Sequence, residues 1–385
     1  MRSNYKALGP YIGEVDIRDT DGKVNLLLGV SIQKKFMRSI ANTIGTDMST
    51  YKIVKRNQFA YGPVTSRNGD KISIALLEDY DEAIVSQAYV PFEVSKPNEL
   101  LPEYLMMWFR RPEFDRYARY MSHGSAREIF SWEEMCNTML PIPSITKQRE
   151  IVAEYNAIQD RIKLNEQLIA KLEECAQVIL TELLNRFEAI STKRTLSDYV
   201  ESANTGLDAI KRAPIVERNT GTRCLRIQDV SRNACYDNWG FTEVTENNFK
   251  KFRLRKDDII IARTGATVGG NLNIMKDLNA VFNNGLIRLR ADKSKIHPAV
   301  LQAFCKSEYF KAHIEGIAFG TSTQPNIQIG DLLSYETSFP PIDKQTDFSN
   351  ALTHIQQLSS NLNEQTNALD KVSKLIQSKL ATISG

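Results

Sequence analysis

The feature that most constrains this chain is a forty-residue run, Lys147 to Arg186, with no proline, no glycine and its apolar residues on a heptad. Tyr155, Ile162, Ile169, Ala176 and Leu183 take one set of positions, and Ile158, Asn165, Leu172, Ile179 and Arg186 follow three residues after each. Alternating steps of three and four keep these side chains on one stripe, as in a coiled-coil seam. At 1.5 Å per residue the run predicts a helix roughly 60 Å long, too long for the core helix of a small domain. A second such run, Lys344 to Ile383, ends the chain; Phe348, Ile355, Leu362, Leu369 and Ile376 alternate there with Ala351, Leu358, Gln365 and Val372. Leu164-Asn165-Glu166-Gln167 recurs verbatim as Leu362-Asn363-Glu364-Gln365.

Two such helices suggest a repeat, and missing a repeat mis-reads the architecture. Residues 102–125 align without a gap onto 298–321: Pro102 with Pro298, Leu105 with Leu301, Trp108 with Phe304, Phe114 with Phe310, Gly124-Ser125 with Gly320-Thr321. Ile142 to Gln148 matches Phe339 to Gln345, and Tyr51 to Lys55 matches Phe252 to Lys256. The whole chain reads as one unit duplicated. Strands are expected over Val24–Val30, Gln58–Tyr61 and Ala83–Val94, and in the repeat over Arg223–Val230, Asp258–Ala262 and Ala280–Leu289. A helix over Pro102–Met121 carries Leu105, Trp108, Phe109, Phe114 and Tyr117, a stripe expected to pack on the sheet. Thr146 and Asp343 stand where N-caps should open the long helices.

The predicted fold class is α+β: two globular α/β blocks joined by two long antiparallel helices, a coiled-coil spacer with pseudo-twofold internal duplication. The blocks are placed at residues 1–145 and 191–342, the spacer helices at 146–190 and 343–385. The second helix needs a partner for its seam, and laying it antiparallel on the first gives a dumbbell. The seam is expected to comprise Tyr155, Ile158, Ile162, Ile169, Leu172, Ile179 and Leu183 against Ile355, Leu358, Leu362, Leu369, Val372 and Ile376.

Composition excludes several classes. Hydrophobic residues at 42% and charged residues at 25% of 385 are ordinary globular values. No run of about 18 apolar residues and no signal-peptide pattern is present. Five dispersed cysteines without a C-x-x-C pair read as reduced thiols in a cytoplasmic protein, not as a disulfide frame or a zinc site. Net charge is only +3, but residues 193–343 hold 21 Lys and Arg against 17 Asp and Glu, a mild basic bias.

No catalytic constellation stands out. Gly265 to Gly270 has glycines for a tight loop but no following Lys-Ser/Thr to bind phosphate, and reads as a strand-to-loop turn. His123, His297, His313 and His354 show no metal-ligand spacing, so no metal site and no cofactor of the chain's own is expected. Binding chemistry is better represented, in polar loops at matching places in the two blocks. The first has Arg67, Asn68 and Lys71, then His123, Ser125 and Arg127; the second has Arg263, Thr264, Asn271 and Asn273, then Thr321, Thr323, Gln324 and Asn326. Arg, Asn and Gln can bond base edges bidentately, while Ser, Thr and backbone N–H groups suit phosphates. Lys34, Lys35, Arg38, Lys250 and Lys251 are candidate phosphate contacts. The competing reading of each is a solvated surface residue.

Asp257–Gly270 (DDIIIARTGATVGG), Gly320–Leu332 (GTSTQPNIQIGDL), and Phe339–Gln345 (FPPIDKQ) with its twin Ile142–Gln148 (IPSITKQ) resemble the specificity subunit of type I restriction–modification systems. The likeness spans the chain and its two-unit order. The first block departs from it, with FAYGPVTSRNGDKISIA in place of the arginine-glycine loop and GSAREIF in place of the Thr-Gln-Pro-Asn phrase. The resemblance implies a non-catalytic DNA reader, each block a target-recognition domain for one half of a split, asymmetric site. It implies double-stranded DNA, methyltransferase subunits (two of them) and a translocating restriction subunit as partners. S-adenosylmethionine, ATP and Mg are implied for those partners only. The alternative is a coiled-coil protein-interaction scaffold with no DNA role.

Overall fold

The computed structural model describes residues 5–39, 47–66, 68–123, 128–265, 267–319 and 325–382. The chain divides into two compact units, Met1–Ile162 with Leu369–Gly385, and Lys163–Ala368. Each therefore holds the start of one long helix and the end of the other. The helices run over Ile145–Arg186 and Thr346–Lys379.

In unit one, the sheet Ile12–Glu14, Val90–Val94, Phe59–Tyr61, Ile74–Leu76 is antiparallel throughout. Its core joins Phe59, Phe92, Leu105 and Phe109 to Ile151 and Tyr155 of the first long helix and Leu380 just after the second. A second sheet, in the order Phe36–Arg38, Leu27–Val30, Glu82–Val85, Lys52–Lys55, contains a parallel pair, Leu27 and Leu28 beside Ile84 and Val85. The strand Tyr5–Ala7 closes the unit by pairing with Met139–Pro141, which leads directly into the long helix.

Unit two repeats this plan. Val200–Thr205, Leu286–Ala291, Ile259–Ala262 and Asn271–Asn273 form the antiparallel sheet. Arg223–Leu225 lies parallel to Ala280–Phe282 in the second sheet, and Thr192–Thr195 pairs with Glu336–Phe339 ahead of the second long helix. Leu180, Leu183 and Leu352 from the helices are buried in the core with Ile261, Leu301 and Phe310. Full burial of a leucine contributes about 2–3 kcal/mol, so these contacts bind each block firmly to its helix ends.

The expected elements need refining where local chemistry intervenes. Pro102–Met121 is two helices, Pro102–Phe109 and Pro112–Tyr120, because Pro112 has no N–H to continue the first and its ring suits a helix start. Ala83–Val94 and Ala280–Leu289 each contain a turn between two strands. Arg223–Val230 is a strand only to Leu225; Ile227–Ser231 is helical, opened by Asp229, whose carboxylate accepts the Arg226 N–H at 2.9 Å. The cap of the first long helix is Ser144, whose Oγ accepts the Lys147 N–H at 3.4 Å, so Thr146 lies inside the helix. Asp343 sits in a 3-10 turn, Ile342–Lys344, that precedes the second.

The seam also departs from its expected line. Tyr155, Ile158, Ile162, Ile169, Leu172, Ile179 and Leu183 are all covered, as are Ile355, Leu362, Leu369 and Ile376, but Leu358 and Val372 are 50% and 44% exposed. Leu352, Ser359, Thr366, Ser373 and Leu380 are covered instead, one residue further round the helix. Hydrogen bonding explains the shift. In unit one Gln159 Nε2 donates to Ser373 Oγ at 2.9 Å and Gln377 Nε2 to Tyr155 OH at 3.1 Å; in unit two Asn165 Nδ2 donates to Thr366 Oγ1 at 3.2 Å. Within each unit the helices therefore run antiparallel, and their seam is partly polar.

Candidate nucleic-acid interface

In unit two the antiparallel sheet gathers loops at one end. Thr205 ends its strand opposite Ile287, Ala262 ends its strand opposite Leu286, and Asn271 begins its strand opposite Ile261. The loops after Thr205, before Leu286 and between Ala262 and Asn271 thus emerge together. The segment before Ile327 joins them: Thr264 bridges Asn326, the Ile327 N–H donates to Arg263 O at 2.9 Å, and the Gly265 N–H donates to Pro325 O at 3.3 Å. Arg263 Nε and Nη2 both donate to Asn326 Oδ1, at 3.2 and 3.0 Å. A guanidinium has five N–H donors, so Arg263 keeps donors beyond those that hold Asn326. Gly269, at φ +85, permits the tight return of this loop; a Cβ there would lie 2.9 Å from Ile314 Cγ2.

Unit one builds the same junction from different residues. Val64 bridges Ile129, the Thr65 N–H donates to Glu128 O at 3.0 Å and the Phe130 N–H to Pro63 O at 2.9 Å. This sets the loop carrying Asn68 and Lys71 beside the one that starts at His123, which bridges Ile129 and is exposed. Asn68 Nδ2 donates to Val64 O at 3.3 Å within the loop, and Lys71 is exposed.

Of the candidates, Asn68, Lys71 and His123 gather in unit one, and Arg263, Thr264, Asn271 and Asn326 in unit two. Arg67, Ser125, Arg127, Thr321, Thr323 and Gln324 lie outside the described residues. Asn271 is partly committed, its Nδ2 donating to Cys305 O at 3.1 Å. Asn273 sits further along the strand with its Oδ1 buried, so it is not displayed. Lys250 and Lys251 belong to the helix Glu246–Phe252, which precedes the strand Ile259–Ala262, whereas the loops follow that strand's far end. The sheet does not bring them together with Arg263.

Lys35 and Arg38 are exposed on the hairpin Leu27–Val30/Phe36–Arg38, but Lys34 corrects the expectation of a phosphate contact. It is 5% exposed, ion-paired to Asp115 at 2.8 Å and bonded to Phe109 O. Burial lowers its pKa against the opposing pull of Asp115. Asp115 Oδ1 also accepts the Ile72 N–H at 3.2 Å, so this pair holds the base of the Asn68–Lys71 loop.

One feature at this end of unit two has no apolar or motif signal in the sequence. Asp208 Oδ1 accepts the N–H groups of Ile210 and Lys211 at 3.0 and 2.7 Å, bonds that hold its carboxyl below the usual range. The turn so fixed carries Ile210, 82% exposed, followed by exposed Lys211 and Arg212. The turn is an Asx-turn that starts at Asp208 and runs through Ala209 to Ile210.

Among the described residues no group of three or more His, Cys, Asp or Glu is placed to hold a metal. The Cys224 and Cys305 thiols are buried and raised by burial, Cys224 to about 12, far from a nucleophile's range. No described helix is long and apolar enough to cross a membrane.

Comparison with known proteins agrees with this geometry. Residues 191–370 match the family described as the type I restriction modification DNA specificity domain. The MjaVIII type I restriction enzyme specificity subunit of Methanocaldococcus jannaschii is 22% identical over 268 residues, covering 64% of this chain and 62% of that protein. The HindI specificity subunit of Haemophilus influenzae is 23% identical over 187 residues, 48% of this chain and 40% of that one. The chain thus spans about three fifths of the first relative and two fifths of the second. In fold, the crystal structure of a type I restriction–modification S subunit from M. genitalium superposes with a TM-score of 0.60 at 12% identity, over 99% of this chain and 96% of that one. Residues 191–370 thus carry the type I restriction modification DNA specificity domain, and the chain as a whole has the fold of a type I S subunit, with two like units that each carry their own strand-end loops.

Proposed function

We propose that this protein is the DNA-reading subunit of a type I restriction–modification complex and recognises a bipartite, asymmetric site. One observation carries the reading: two units share a frame, yet present different residues at the same strand-end loops. Asn68, Lys71 and His123 stand in one where Arg263, Thr264 and Asn326 stand in the other. Identical readers would select a palindrome; different readers on one chain select two unlike half-sites. Base readout would fall to the Arg and Asn side chains, which can bond base edges in pairs, and phosphate contact to Lys71, Lys35, Arg38, Lys211 and Arg212. Near-neutral net charge fits a subunit whose partners share the phosphate contacts.

In this reading the chain does no chemistry. Adenine methylation would belong to two methyltransferase subunits using S-adenosylmethionine, and ATP- and Mg-dependent translocation to a restriction subunit. The exposed helix residues Leu164, Leu168, Leu358, Val372 and Leu375 are apolar surface for such partners.

Domain exchange tests the proposal. Replacing residues 1–144 with the corresponding block of a relative should change one half-site in a methylation map and leave the other untouched. A change in both half-sites, or in neither, would rule it out. The scaffold alternative requires that the assembled complex show no salt-sensitive binding to duplex DNA.

A further inference from the structure

Gln148 and Gln345 occupy matching places, one near the start of each long helix, and both are 0% exposed. Gln148 Oε1 accepts the Leu101 N–H at 2.9 Å, while its Nε2 donates to Glu99 O at 2.7 Å and Pro143 O at 2.8 Å. Gln345 Oε1 accepts the His297 N–H at 2.9 Å, while its Nε2 donates to Lys295 O at 3.1 Å and Pro340 O at 2.8 Å. Leu101 and His297 each stand just before a helix that opens on proline and has no side-chain cap of its own. One amide in each unit thus ties together the block's core helix, the turn before it and the proline turn that feeds the long helix. Gln148 lies one heptad before Tyr155, and Gln345 one heptad before Leu352, so each begins a seam line. Burial alone would favour an apolar side chain there, since a buried polar group is costly unless fully bonded. Only an amide accepts one bond and donates two at this reach.

We infer that Gln148 and Gln345 are positioning residues: each fixes the angle at which its block leaves the spacer helix, and so sets how sharply the protein discriminates the gap between half-sites. This rests on the bipartite-reader proposal above. Because all three bonds of each glutamine lie within one unit, the two act separately.

The test uses the full chain assembled with its methyltransferase subunits, and duplexes whose gap is one base pair short, native, or one long. One base pair turns a half-site by about 34–36°, which a rigid reader resolves and a swivelling one does not. Gln148→Glu and Gln345→Glu each keep size but cannot donate to the two carbonyls; Gln148→Asn and Gln345→Asn, which keep the amide but shorten it, serve where the Glu variant does not fold. Each variant should retain its half-site base preference while gap discrimination falls by about tenfold, the scale of an ordinary coupling between two sites. The Leu101 or His297 amide proton should exchange faster in the matching variant only. A parallel loss of affinity at every gap, with the discrimination ratio unchanged, overturns the inference and leaves the glutamines merely stabilising. Wild-type binding that ignores the gap and the half-site bases alike overturns the bipartite reading itself.

Discussion

The two units are most informative where they part company. Their frames coincide: an opening strand paired to the one that feeds the long helix, the same sheet order, a parallel strand pair, a buried glutamine, and a left-handed residue before the matching strand, Asn57 at φ 66 and Asp257 at φ 72. After the first parallel strand they diverge. Unit one makes a hairpin whose tip, Lys34, turns inward to Asp115; unit two makes the helix Ile227–Ser231 and a further strand, Gly240–Thr242. What repeats is fixed by buried hydrogen bonds and core packing, which tolerate little change. What differs is loop and sheet edge, where sequence can vary without loss of the frame. That division suits a protein that must keep its geometry while altering what it reads.

The sharpest way to break this comparison is at aligned positions with opposite surroundings. Asp115 aligns with Lys311 in the repeat, but Asp115 is the buried partner of Lys34, whereas Lys311 is half exposed and pairs with Glu308 one turn away. Asp115→Ala should destabilise by about 3–5 kcal/mol, because it leaves a buried ammonium unpaired. Lys311→Ala should cost less than about 0.5 kcal/mol. The pH response follows from Lys34, whose folded pKa is already lowered by burial. Between that lowered value and 10.5 the unfolded chain binds more protons, so stability rises with pH there. Removing Asp115 lowers the folded value further and should extend the rise towards neutral pH. Denaturant titrations of both variants across alkaline pH check this; equal costs would mean that the units do not differ at this site.

A smaller effect separates strain from contact. Gly69 and Gly269 lie in the equivalent strand-end loops, both left-handed, at φ +62 and +85. Nothing lies within 4 Å of a Cβ built on Gly69, while one on Gly269 would meet Ile314 at 2.9 Å. Gly69→Ala should cost about 1 kcal/mol from backbone strain alone. Gly269→Ala should cost about 2–3 kcal/mol, strain and overpacking together. Thermal unfolding of the two variants checks the order, and a larger loss at Gly69 would reverse it.

Much of the frame was legible because apolar periodicity and repeat spacing report directly on burial. The long helices, the repeat offset and the strands at Phe59–Tyr61 and Ile259–Ala262 all followed from that signal. Where polar groups decide the structure, the same signal failed. Lys34 reads as a surface cation, yet Asp115, 81 residues later in sequence, draws it inward across a fold that periodicity does not reveal. Gln148 and Gln345 read as ordinary helix residues inside a proline-rich phrase, although each carries three buried bonds. Tyr51 to Lys55 and Phe252 to Lys256 match in sequence, yet only the first gives a strand, Lys52–Lys55; in unit two the Arg253 carbonyl is taken by Arg288 and Arg290.

The seam offers the smallest effect and the finest comparison, between two lines on one helix. An apolar heptad assigns Leu358 and Val372 to the contact and leaves Thr366 and Ser373 outside it. The structure reverses the assignment, exposing the first pair and bonding Thr366 to Asn165 and Ser373 to Gln159. Leu358→Ser and Val372→Ser should therefore change the stability of the free chain by no more than about 0.5 kcal/mol. Ser373→Ala, a far milder change chemically, should cost about 0.5–1.5 kcal/mol by removing a hydrogen bond and stranding Gln159. Chemical denaturation of the three variants ranks them. A loss of 2 kcal/mol or more at Leu358 would restore the apolar line as the true seam, and with it the view that this spacer is held together by leucines and not by a register-setting ladder of amides and hydroxyls.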